Sequence, residues 1–446
     1  MQLDAVFKAY DIRGRTDTGE LTPELARAVG AGFARVAGSS TVAVGRDCRE
    51  SSPAIASALI EGVRSQGTAV LDLGEVATDT VYYVSGARQV AGAMVTASHN
   101  PPEYNGIKLC RSGAAPVGAD TGLEDIKGLV AAGVPAGDQL GSLATFDPIP
   151  GYVDHLLGVI DPARIAPIRV AVDGGNGMAG VVLQRVFDRI PAELVGLYLE
   201  PDGTFPNHPA DPLQPENLVD LIELIHTDRP DLGVAFDGDA DRAFFVDDLG
   251  SPLSGSTTTA LVARWFLANE PGATIVHNLI TSRAVPETVV AHGGKPVRTR
   301  VGHSFIKQVM ADTGAVFGGE HSGHYYFRAN YRADSGMLAM LVLLQVLSES
   351  GQKLSELRRE VEPYRASGEI NLEVDDRAAA LERVVAAFSD GAEVDRLDGL
   401  TVAWSDRWFN LRPSNTEPFV RLNAEGPDDD AVSGIVDRVR SIVEEV

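Results

Sequence analysis

The chain repeats one order of elements three times, in which an apolar strand leads into an amphipathic helix and then into a second strand. The repeats occupy 41–73, 168–199 and 273–299. Their predicted strands are 41–45, 68–73, 168–173, 193–199, 273–278 and 296–299, and their predicted helices start at Ser52-Pro53, cover 178–190 and 282–292, and start again at Gly302. Three similar units of this kind predict three α/β sheet domains.

The last part of the chain has a different pattern, which predicts a small α+β domain with antiparallel pairing. Its predicted strands are 369–374, 400–407 and 419–424, and its predicted helices are 377–388 and 428–446. Proline-rich or turn-forming residues at 146–151, 248–251 and 362–363 interrupt the chain. The expected domains are therefore 1–147, 148–250, 251–362 and 363–446.

The composition limits the partners of the protein. Its 446 residues carry 38 Lys and Arg against 62 Asp and Glu, which gives a formal net charge of −24. This acidity argues against nucleic acid and anionic membranes as partners.

The longest nearly apolar run, 338–347, is too short to cross a bilayer. Because the N-terminus lacks the pattern of a signal peptide and the two cysteines form no CxxC pair, we expect a cytoplasmic enzyme, present as a monomer or weak dimer.

Three aspartates, Asp237, Asp239 and Asp241, alternate with small residues directly before Arg242. Their carboxylates converge only if the backbone turns tightly around a cation, and Gly238 permits that turn. Hard oxygen ligands favour Mg²⁺ over zinc. An EF-hand loop begins in the same way but needs glycine where this chain has Arg242. We therefore predict a Mg²⁺ site, with an acidic surface turn as the alternative.

A possible nucleophile follows the predicted strand 91–95. The Asn-Pro-Pro run in the loop 96–102 leaves Ser98 at the tip of that loop. Serine alone is a weak nucleophile, but His99 could activate it or bond a phosphate carried on it, and Lys108 could add positive charge. Acyl transfer by a Ser-His-Asp triad would need a GxSxG elbow, which is absent here. The alternative is a polar turn without chemistry.

The segment 175–180 matches GxGxxG, follows a predicted strand, opens a predicted helix, and has Glu200 near the end of the next strand. This is the formal pattern of a dinucleotide site, so an NAD-dependent oxidoreductase is a rival hypothesis. The same glycines also suit a tight turn between strand and helix, and the rival leaves the serine and aspartate loops unexplained.

Two later loops have side chains that suit sugar phosphates. The glycine-rich segment 318–324 presents Glu320 and Ser322, which can accept and donate hydrogen bonds to sugar hydroxyls. The segment 412–418, together with Arg421, combines guanidinium groups, hydroxyls and a turn that can direct backbone N–H groups at one phosphate. Either loop alone could equally be a polar turn.

Taken in order, the four loops resemble those of the α-D-phosphohexomutase superfamily, and specifically its phosphomannomutase/phosphoglucomutase branch. The resemblance spans nearly the whole chain and rests on the segments 7–14, 96–101, 105–108, 237–242, 302–303, 319–324 and 412–418. It implies an α/β protein of four-domain phosphohexomutase architecture, in which three similar α/β sheet domains and a C-terminal α+β domain surround a central cleft.

The resemblance also implies a role for each loop. Ser98 would be the phosphoserine, and Asp237, Asp239 and Asp241 would bind Mg²⁺ together with an oxygen on Ser98. Glu320 and Ser322 would hold the sugar, and the distal phosphate would be held by Arg412, Ser414, Asn415, Thr416 and Arg421. Further cleft residues implied for catalysis are Arg13, His99, Lys108, His303 and His324, and those implied for substrate binding are Tyr10, Arg242 and Arg283.

The implied reaction interconverts hexose 1-phosphates and hexose 6-phosphates through a hexose 1,6-bisphosphate, which is both intermediate and activator. Glu320 and Ser322 would bind O3 and O4, which glucose and mannose share, so we expect both sugars to be substrates. His321 stands where some dual-specificity members have methionine, which leaves the sugar preference open. Phosphoglucosamine mutase and a metal-dependent phosphatase are the alternatives within phosphate chemistry.

Overall fold

A computed structural model describes residues 3–388, 391–413 and 419–444, apart from the side chain of His303. Four separate sheets organise the chain into domains I to IV. Domain I has a seven-stranded sheet in the order β1-β5-β4-β2-β3-β7, with β6 paired to β5. Its strands are β1 Ile12–Arg15, β2 Thr41–Arg46, β3 Ala69–Glu75, β4 Ala91–Val95, β5 Tyr104–Arg111, β6 Ala115–Pro116 and β7 Leu143–Thr145, and its helices are α1 Leu3–Val6, α2 Pro23–Val36, α3 Ser52–Arg64, α4 Thr78–Arg88 and α5 Leu123–Ala132.

Domains II and III each contain a four-stranded sheet with a parallel centre and one antiparallel edge strand. Domain II has the order β11-β10-β8-β9 and comprises α6 Ile149–Val159, β8 Arg169–Asp173, α7 Gly180–Phe187, β9 Glu193–Leu197, α8 Val219–Asp228, β10 Leu232–Phe236 and β11 Ala243–Val246. Domain III has the order β13-β12-β14-β15 and comprises α9 Gly255–Asn269, β12 Thr274–Asn278, α10 Ala284–Ala291, β13 Lys295–Thr299, α11 His303–Thr313, β14 Phe317–Gly319, β15 Tyr325–Phe327, α12 Gly336–Ser350 and α13 Leu354–Val361.

Domain IV has a five-stranded antiparallel sheet in the order β16-β20-β19-β18-β17. Its elements are β16 Arg365–Glu373, α14 Arg377–Phe388, β17 Glu393–Asp395, β18 Leu400–Ala403, β19 Trp408–Pro413, β20 Phe419–Gly426 and α15 Asp429–Glu444. The predicted fold class, three α/β domains and one α+β domain, is confirmed. The single predicted strand 400–407 was wrong, because Trp404 N–H donates to Arg407 O (2.8 Å) and closes a turn that separates β18 from β19.

The apolar run 338–347 forms a buried helix. It lies inside α12, whose N-cap Ser335 accepts a hydrogen bond from Leu338 N–H (3.1 Å). The helix is apolar on all sides, as expected of a helix enclosed by neighbouring elements, and its one polar interior residue, Gln345, accepts from Asp161 N–H (3.1 Å). Within the described residues, no helix combines the length and apolar character needed to span a membrane.

One hydrophobic cluster joins domains I to III, and domain I has a second cluster of its own, whereas the core of domain IV joins no other domain. The shared cluster includes Met94 from domain I, Phe236 from domain II and Leu341 from domain III. The core of domain IV is a separate cluster around Phe409 and Val439. The three α/β domains therefore form one packed body, to which domain IV is joined mainly by polar contacts such as the ion pair between Arg298 and Asp395 and the bond from Val301 N–H to Asp398 Oδ2 (3.2 Å).

Sheet topology brings three loops together. The strands β4, β10 and β14 each run parallel to a neighbour in their own sheet. Ligands of open α/β sheets bind outside the carboxyl ends of such strands. The loops that follow these three carboxyl ends contain Ser98, Asp237 and Glu320.

Candidate active site

A cavity of about 250 Å³ lies where the three loops meet, and domains I, II and III all contribute to its wall. The sequence-predicted residues that line it are Tyr10, Arg13, Ser98, His99, Lys108, Asp241, Arg242, Glu320, Ser322 and His324. The structure therefore gathers residues separated by more than half of the chain into one space.

Ser98 is enclosed, and its side chain points at the aspartate loop. Its backbone has φ +53°, and its N–H donates to Thr96 Oγ1 (2.9 Å). The hydroxyl donates to Asp237 Oδ2 (2.7 Å) and lies 3.2 Å from His99 Nδ1. Ser98 is only 4% exposed. The domain II loop packs over it, leaving one hydroxyl oriented toward the cavity and the carboxylates.

The three aspartates form a compact oxygen cluster with almost no access to solvent. One carboxylate oxygen from each lies within 4.8 Å of the others. Lys108 Nζ donates to Asp239 Oδ2 (2.6 Å) and to Asp241 Oδ2, while Arg242 Nε donates to Asp237 Oδ2 (2.9 Å). The remaining oxygens, Oδ1 of Asp239 and of Asp241, have no hydrogen-bond partner in the described part of the chain. Buried carboxylate oxygens without partners fit a hard divalent cation such as Mg²⁺.

Burial and charge set the protonation of this cluster. Burial, reinforced by the Asp241 and Asp239 carboxylates, raises the pKa of Asp237 to about 7 despite Arg242. Burial opposes ionisation of Lys108, yet the Asp239 and Asp241 carboxylates outweigh it and raise the pKa of the ammonium group. Burial, followed by the positive charges of Arg242 and Arg13, lowers the pKa of His99 to about 2. The imidazole beside Ser98 is therefore neutral at physiological pH.

Glu320 is held in one orientation by three donors. Asn278 Nδ2 (3.2 Å) and Gly302 N–H (3.1 Å) donate to Oε1, and the Tyr326 hydroxyl donates to Oε2 (2.7 Å). The side chain is 3% exposed but lines the cavity. A carboxylate fixed in this way still has lone pairs for further donors, which suits hydroxyl groups of a ligand.

Ser322 and His324 form the rest of the domain III wall. Ser322 Oγ lies 3.0 Å from His324 Nδ1, and His324 Nε2 lies 3.8 Å from Asp241 Oδ1. An isolated β-bridge between Arg242 and His324 joins the aspartate loop to the domain III loop 318–324. Ser322 and His324 are therefore positioned beside the oxygen cluster of domain II.

The N-terminal segment contributes a cation and an aromatic ring. Arg13 donates to Asp11 Oδ2 (2.6 Å) and to Asn100 Oδ1, so its guanidinium is tied to the loop that carries Ser98. Tyr10 packs edge-on against Phe305 of α11, with ring centroids 6.4 Å apart. This contact brings domain I against domain III beside the cavity.

Arg412 and Arg421, two of the residues expected to bind a distal phosphate, are not among the described residues that line this cavity. Arg412 and Arg421 instead flank Glu369 at 3.6 Å and 3.3 Å. Arg283 pairs with Glu287 (3.1 Å) and lies over the Tyr364 ring, so the structure places it at the junction of domains III and IV. Ser414, Asn415 and Thr416, and the side chain of His303, lie outside the described residues.

The GxGxxG segment serves close packing. A Cβ on Gly177 would lie 2.6 Å from Gly238 O, and a Cβ on Gly180 would lie 1.6 Å from Leu199 O. Met178 N–H also donates to Gly238 O (3.0 Å). The glycines therefore let the turn after β8 support the aspartate loop, which accounts for the pattern without a dinucleotide.

Sequence reasoning missed two residues that organise the site. Thr78, the first residue of α4, donates its hydroxyl to Asp239 Oδ2. Arg49 is 1% exposed and donates to the backbone of the serine loop. The position of Arg49 in the sequence could have indicated its role, because Arg49 follows the carboxyl end of β2, and β2 is the parallel neighbour of β4.

Comparison with protein-family models decides the assignment. The models for the phosphoglucomutase/phosphomannomutase alpha/beta/alpha domains I, II and III match residues 4–133, 150–250 and 254–364, and the model for the C-terminal domain matches residues 369–442. The chain belongs to the phosphoglucomutase/phosphomannomutase family. It is accordingly a phosphohexomutase, an isomerase that moves a phosphoryl group within a hexose phosphate.

Individual members of the family are similar over their full length. The chain is 41% identical over 430 residues to a protein named phosphohexose mutases from Xanthomonas campestris pv. campestris, with 96% of each chain covered. It is 41% identical over 434 residues to the phosphomannomutase of Salmonella montevideo, with 95% of each covered. The crystal structure of a phosphoglucomutase/phosphomannomutase family protein from Burkholderia thailandensis superposes with a TM-score of 0.91 at 34% identity, covering 100% of this chain and 98% of that one.

Proposed function

We propose that this phosphohexomutase is a phosphomannomutase/phosphoglucomutase that interconverts hexose 1-phosphates and hexose 6-phosphates through a phosphoserine at Ser98. One observation carries the proposal: the Ser98 hydroxyl is hydrogen bonded to Asp237 at the edge of a cavity lined by Lys108, Arg242 and Arg13. Nucleophile, acidic cluster and cations are the groups that phosphoryl transfer needs at one point.

Asp237, Asp239 and Asp241, together with an oxygen on Ser98, are the proposed Mg²⁺ ligands. The donor set fits, since it consists of buried carboxylate oxygens, two of them without a hydrogen-bond partner in the described residues. A bound Mg²⁺ would neutralise negative charge on the transferring phosphoryl group. Lys108 and Arg242 already compensate part of the negative charge of the cluster.

In the proposed transfer, phosphoserine 98 donates its phosphoryl group to the free hydroxyl of a hexose monophosphate. The bond from phosphorus to Ser98 Oγ breaks and a bond from phosphorus to the sugar oxygen forms. The proton of the sugar hydroxyl passes to a base in the cleft, and the departing Ser98 Oγ takes up a proton from an acid in the cleft. Lys108, Arg242 and Arg13 would hold the phosphoryl oxygens by charge-assisted hydrogen bonds. The products of this step are a hexose 1,6-bisphosphate and a free Ser98 hydroxyl.

The second half of the proposed cycle requires the bisphosphate to turn end for end. Its other phosphoryl group then returns to Ser98, and the isomeric monophosphate leaves. Recognition must therefore be the same in both orientations, which Glu320 and Ser322 could provide by bonding two hydroxyls that are present in either one. Domain IV would hold the non-reacting phosphate through Arg412, Ser414, Asn415, Thr416 and Arg421, while Tyr10, His99, His303 and His324 would complete the cleft.

The same residues suggest which sugars are used. Glu320 and Ser322 would contact O3 and O4, which do not distinguish glucose from mannose, so we propose that both 1-phosphates are substrates. Arg13, Lys108 and Arg242 place donors for phosphate oxygens in the cavity of a protein whose net charge is −24. Each of them is paired with an aspartate, so a bound Mg²⁺ would supply the further positive charge that an anionic substrate needs.

We propose domain borders at 147/148, 250/251 and 362/363. They are supported by the ends of structural elements, since β7 ends at Thr145, α6 begins at Ile149, β11 ends at Val246, α13 ends at Val361 and β16 begins at Arg365. Limited proteolysis that cut first inside a sheet, away from these borders, would contradict them.

The test is a product assay on mannose, glucose and glucosamine 1-phosphates with Mg²⁺ and trace glucose 1,6-bisphosphate. We expect 6-phosphates of mannose and glucose, with kcat/KM values within about a hundredfold of each other, and phosphate on the Ser98 peptide by mass spectrometry. Exclusive use of glucosamine 1-phosphate would indicate a phosphoglucosamine mutase. Release of inorganic phosphate without formation of the isomer would indicate a phosphatase. An enzyme that isomerises its substrate while Ser98 stays unmodified would contradict the phosphoserine mechanism.

A further inference from the structure

Arg49 is a buried arginine whose five N–H donors are all used. Nη1 donates to the carbonyl oxygens of Pro101 (2.7 Å) and Tyr104 (3.0 Å), and Nη2 donates to those of Ser98 (2.8 Å) and Asn100 (2.6 Å). The fifth donor, Nε, bonds Asp47 Oδ2 (3.1 Å). Three of the five bonds therefore go to the backbone of the loop that carries the proposed nucleophile, and a fourth goes to the first residue of β5.

That loop needs support because Ser98 has a left-handed backbone, with φ +53°. A residue with a Cβ adopts this conformation at a cost and keeps it only when its surroundings fix it. Thr96 Oγ1 accepts from the Ser98 N–H, and Arg49 Nη2 donates to the Ser98 carbonyl oxygen. Together they determine the direction in which the hydroxyl points.

Arg49 is itself anchored by residues of its own domain. Asp47 accepts from both the Nε and the backbone N–H of Arg49 and also accepts from the Ser52 hydroxyl. Asn105 Nδ2 in turn donates to Ser52 Oγ (2.9 Å). The guanidinium is therefore fixed by a hydrogen-bond network at the start of α3, independent of any substrate.

Domain II closes over the same arginine. The guanidinium carbon of Arg49 lies 5.0 Å from the centre of the Phe205 ring. A Cβ on Gly203 would lie 2.4 Å from Arg49 Cα, so the two backbones are in contact. This cover excludes water from the guanidinium, which strengthens its hydrogen bonds to the loop carbonyls.

We infer that Arg49 is a positioning residue for Ser98, one that fixes the nucleophile loop through its backbone carbonyls without touching the substrate. The inference rests on the proposed function of Ser98 as phosphoryl carrier. Lysine could not replace Arg49, because a single ammonium group offers its donors from one point, whereas the carbonyls are spread around a planar fork.

The variants Arg49→Ala and Arg49→Lys test the inference, with Arg64→Ala as matched control. Arg64 is also an arginine of domain I, and its Nε donates to a loop carbonyl, Gly141 O (2.9 Å). That loop does not line the cavity. For both Arg49 variants we expect kcat to fall about a hundredfold or more, with KM for mannose 1-phosphate changed less than threefold. Phosphorylation of Ser98 by glucose 1,6-bisphosphate should slow in parallel, and Arg64→Ala should stay within twofold of the parent.

Chemical rescue separates positioning from general stability. Millimolar guanidinium chloride should raise kcat of Arg49→Ala at least tenfold, whereas the same concentration of sodium chloride should not.

Three results would overturn the inference: a normal kcat in either Arg49 variant, an equal loss of kcat in Arg64→Ala, or a loss that appears only in KM. If Arg49→Ala does not fold, the kcat of Arg49→Lys decides. If the parent enzyme isomerises its substrate without phosphate on Ser98, the proposed function is wrong. If the parent carries phosphate on Ser98 but the Arg49 variants keep the parental kcat, only this inference is wrong.

Discussion

The hydroxyl of Ser98 and the carboxylate of Asp237 are 2.7 Å apart although 139 positions separate them in the chain. This contact joins the carboxyl end of a domain I strand to that of a domain II strand. The shared core of domains I to III holds the two strands in place. The Ser98 hydroxyl is therefore oriented by packing that extends across three domains.

Replacing the Ser98 hydroxyl should abolish isomerisation. We expect Ser98→Ala to lower kcat by about a thousandfold or more, because no other group occupies its position at the cluster. Ser98→Gly should be equally inactive even though glycine tolerates a positive φ, which separates the loss of the hydroxyl from backbone strain. Ser112→Ala, which removes a hydroxyl with only a 3.4 Å contact to Gln89, should remain active. A Ser98→Gly enzyme with parental kcat in the coupled assay would contradict the assignment.

A methyl group on Gly238 should displace the serine loop. The Cβ of Gly238→Ala would lie 2.3 Å from Ser98 O, closer than atoms approach without a backbone shift. A shift of about 1 Å at a reacting group costs about a hundredfold in rate, so we expect a comparable loss of kcat together with a lower melting temperature. The control is Gly158→Ala in α6, which meets no atom within 4 Å and should stabilise the protein by about 0.5–1 kcal/mol. Equal behaviour of the two variants would count against the close approach.

Removing the Lys108 ammonium group should strengthen Mg²⁺ binding. Lys108 bonds Asp239 and Asp241, so a cation that binds to the same carboxylates would compete with it. We expect Lys108→Met to melt at a lower temperature without metal, because buried carboxylates lose their counter-charge. It should also bind Mg²⁺ on the order of tenfold more tightly by calorimetry. Lys127→Met, at a surface pair with Asp4, should change neither property, and weaker Mg²⁺ binding by Lys108→Met would refute the competition.

Asp79 should make stability depend on pH. It lies at the junction of three domains, where its Oδ2 accepts from the Tyr152 hydroxyl and from Ser335 Oγ (2.8 Å). Burial, with help from the Asp241 and Asp334 carboxylates, raises its pKa from 3.8 to about 7. The stabilising effect of its protonated form is complete below about pH 3.8 and is lost as the pH rises to 7.

The variant Asp79→Asn isolates this effect. Its unfolding free energy relative to the parent should rise by roughly 4 kcal/mol between about pH 4 and pH 8 and stay level above that. Urea unfolding at a series of pH values measures the difference, and Asp125→Asn on the exposed face of α5 is the control. A difference that does not vary with pH would show that Asp79 stays ionised in the folded protein.

The sequence predicted the loops better than their supports. Ser98, Asp237 and Glu320 were identifiable because each follows an apolar strand and belongs to a distinctive polar segment. Arg49 was missed because a charged loop residue is normally solvated, and only the packing of domain II against it makes it buried. The strand β19 was missed because the polar Asn410 interrupts its hydrophobic pattern, yet Asn410 is fully buried with Nδ2 bonded to Asp398 O (3.0 Å) and Thr401 Oγ1 (3.0 Å).

Separate hydrophobic cores make the fourth domain a module. Its interior around Phe409 shares no cluster with the body formed by the other three, and a few polar links such as Arg283 N–H to Glu425 Oε1 (3.1 Å) connect them. Chimeras that carry this module from another mutase should consequently fold as readily as the parent. Such grafts would exchange the proposed phosphate-binding module while Ser98 and the aspartate cluster stay with their native host.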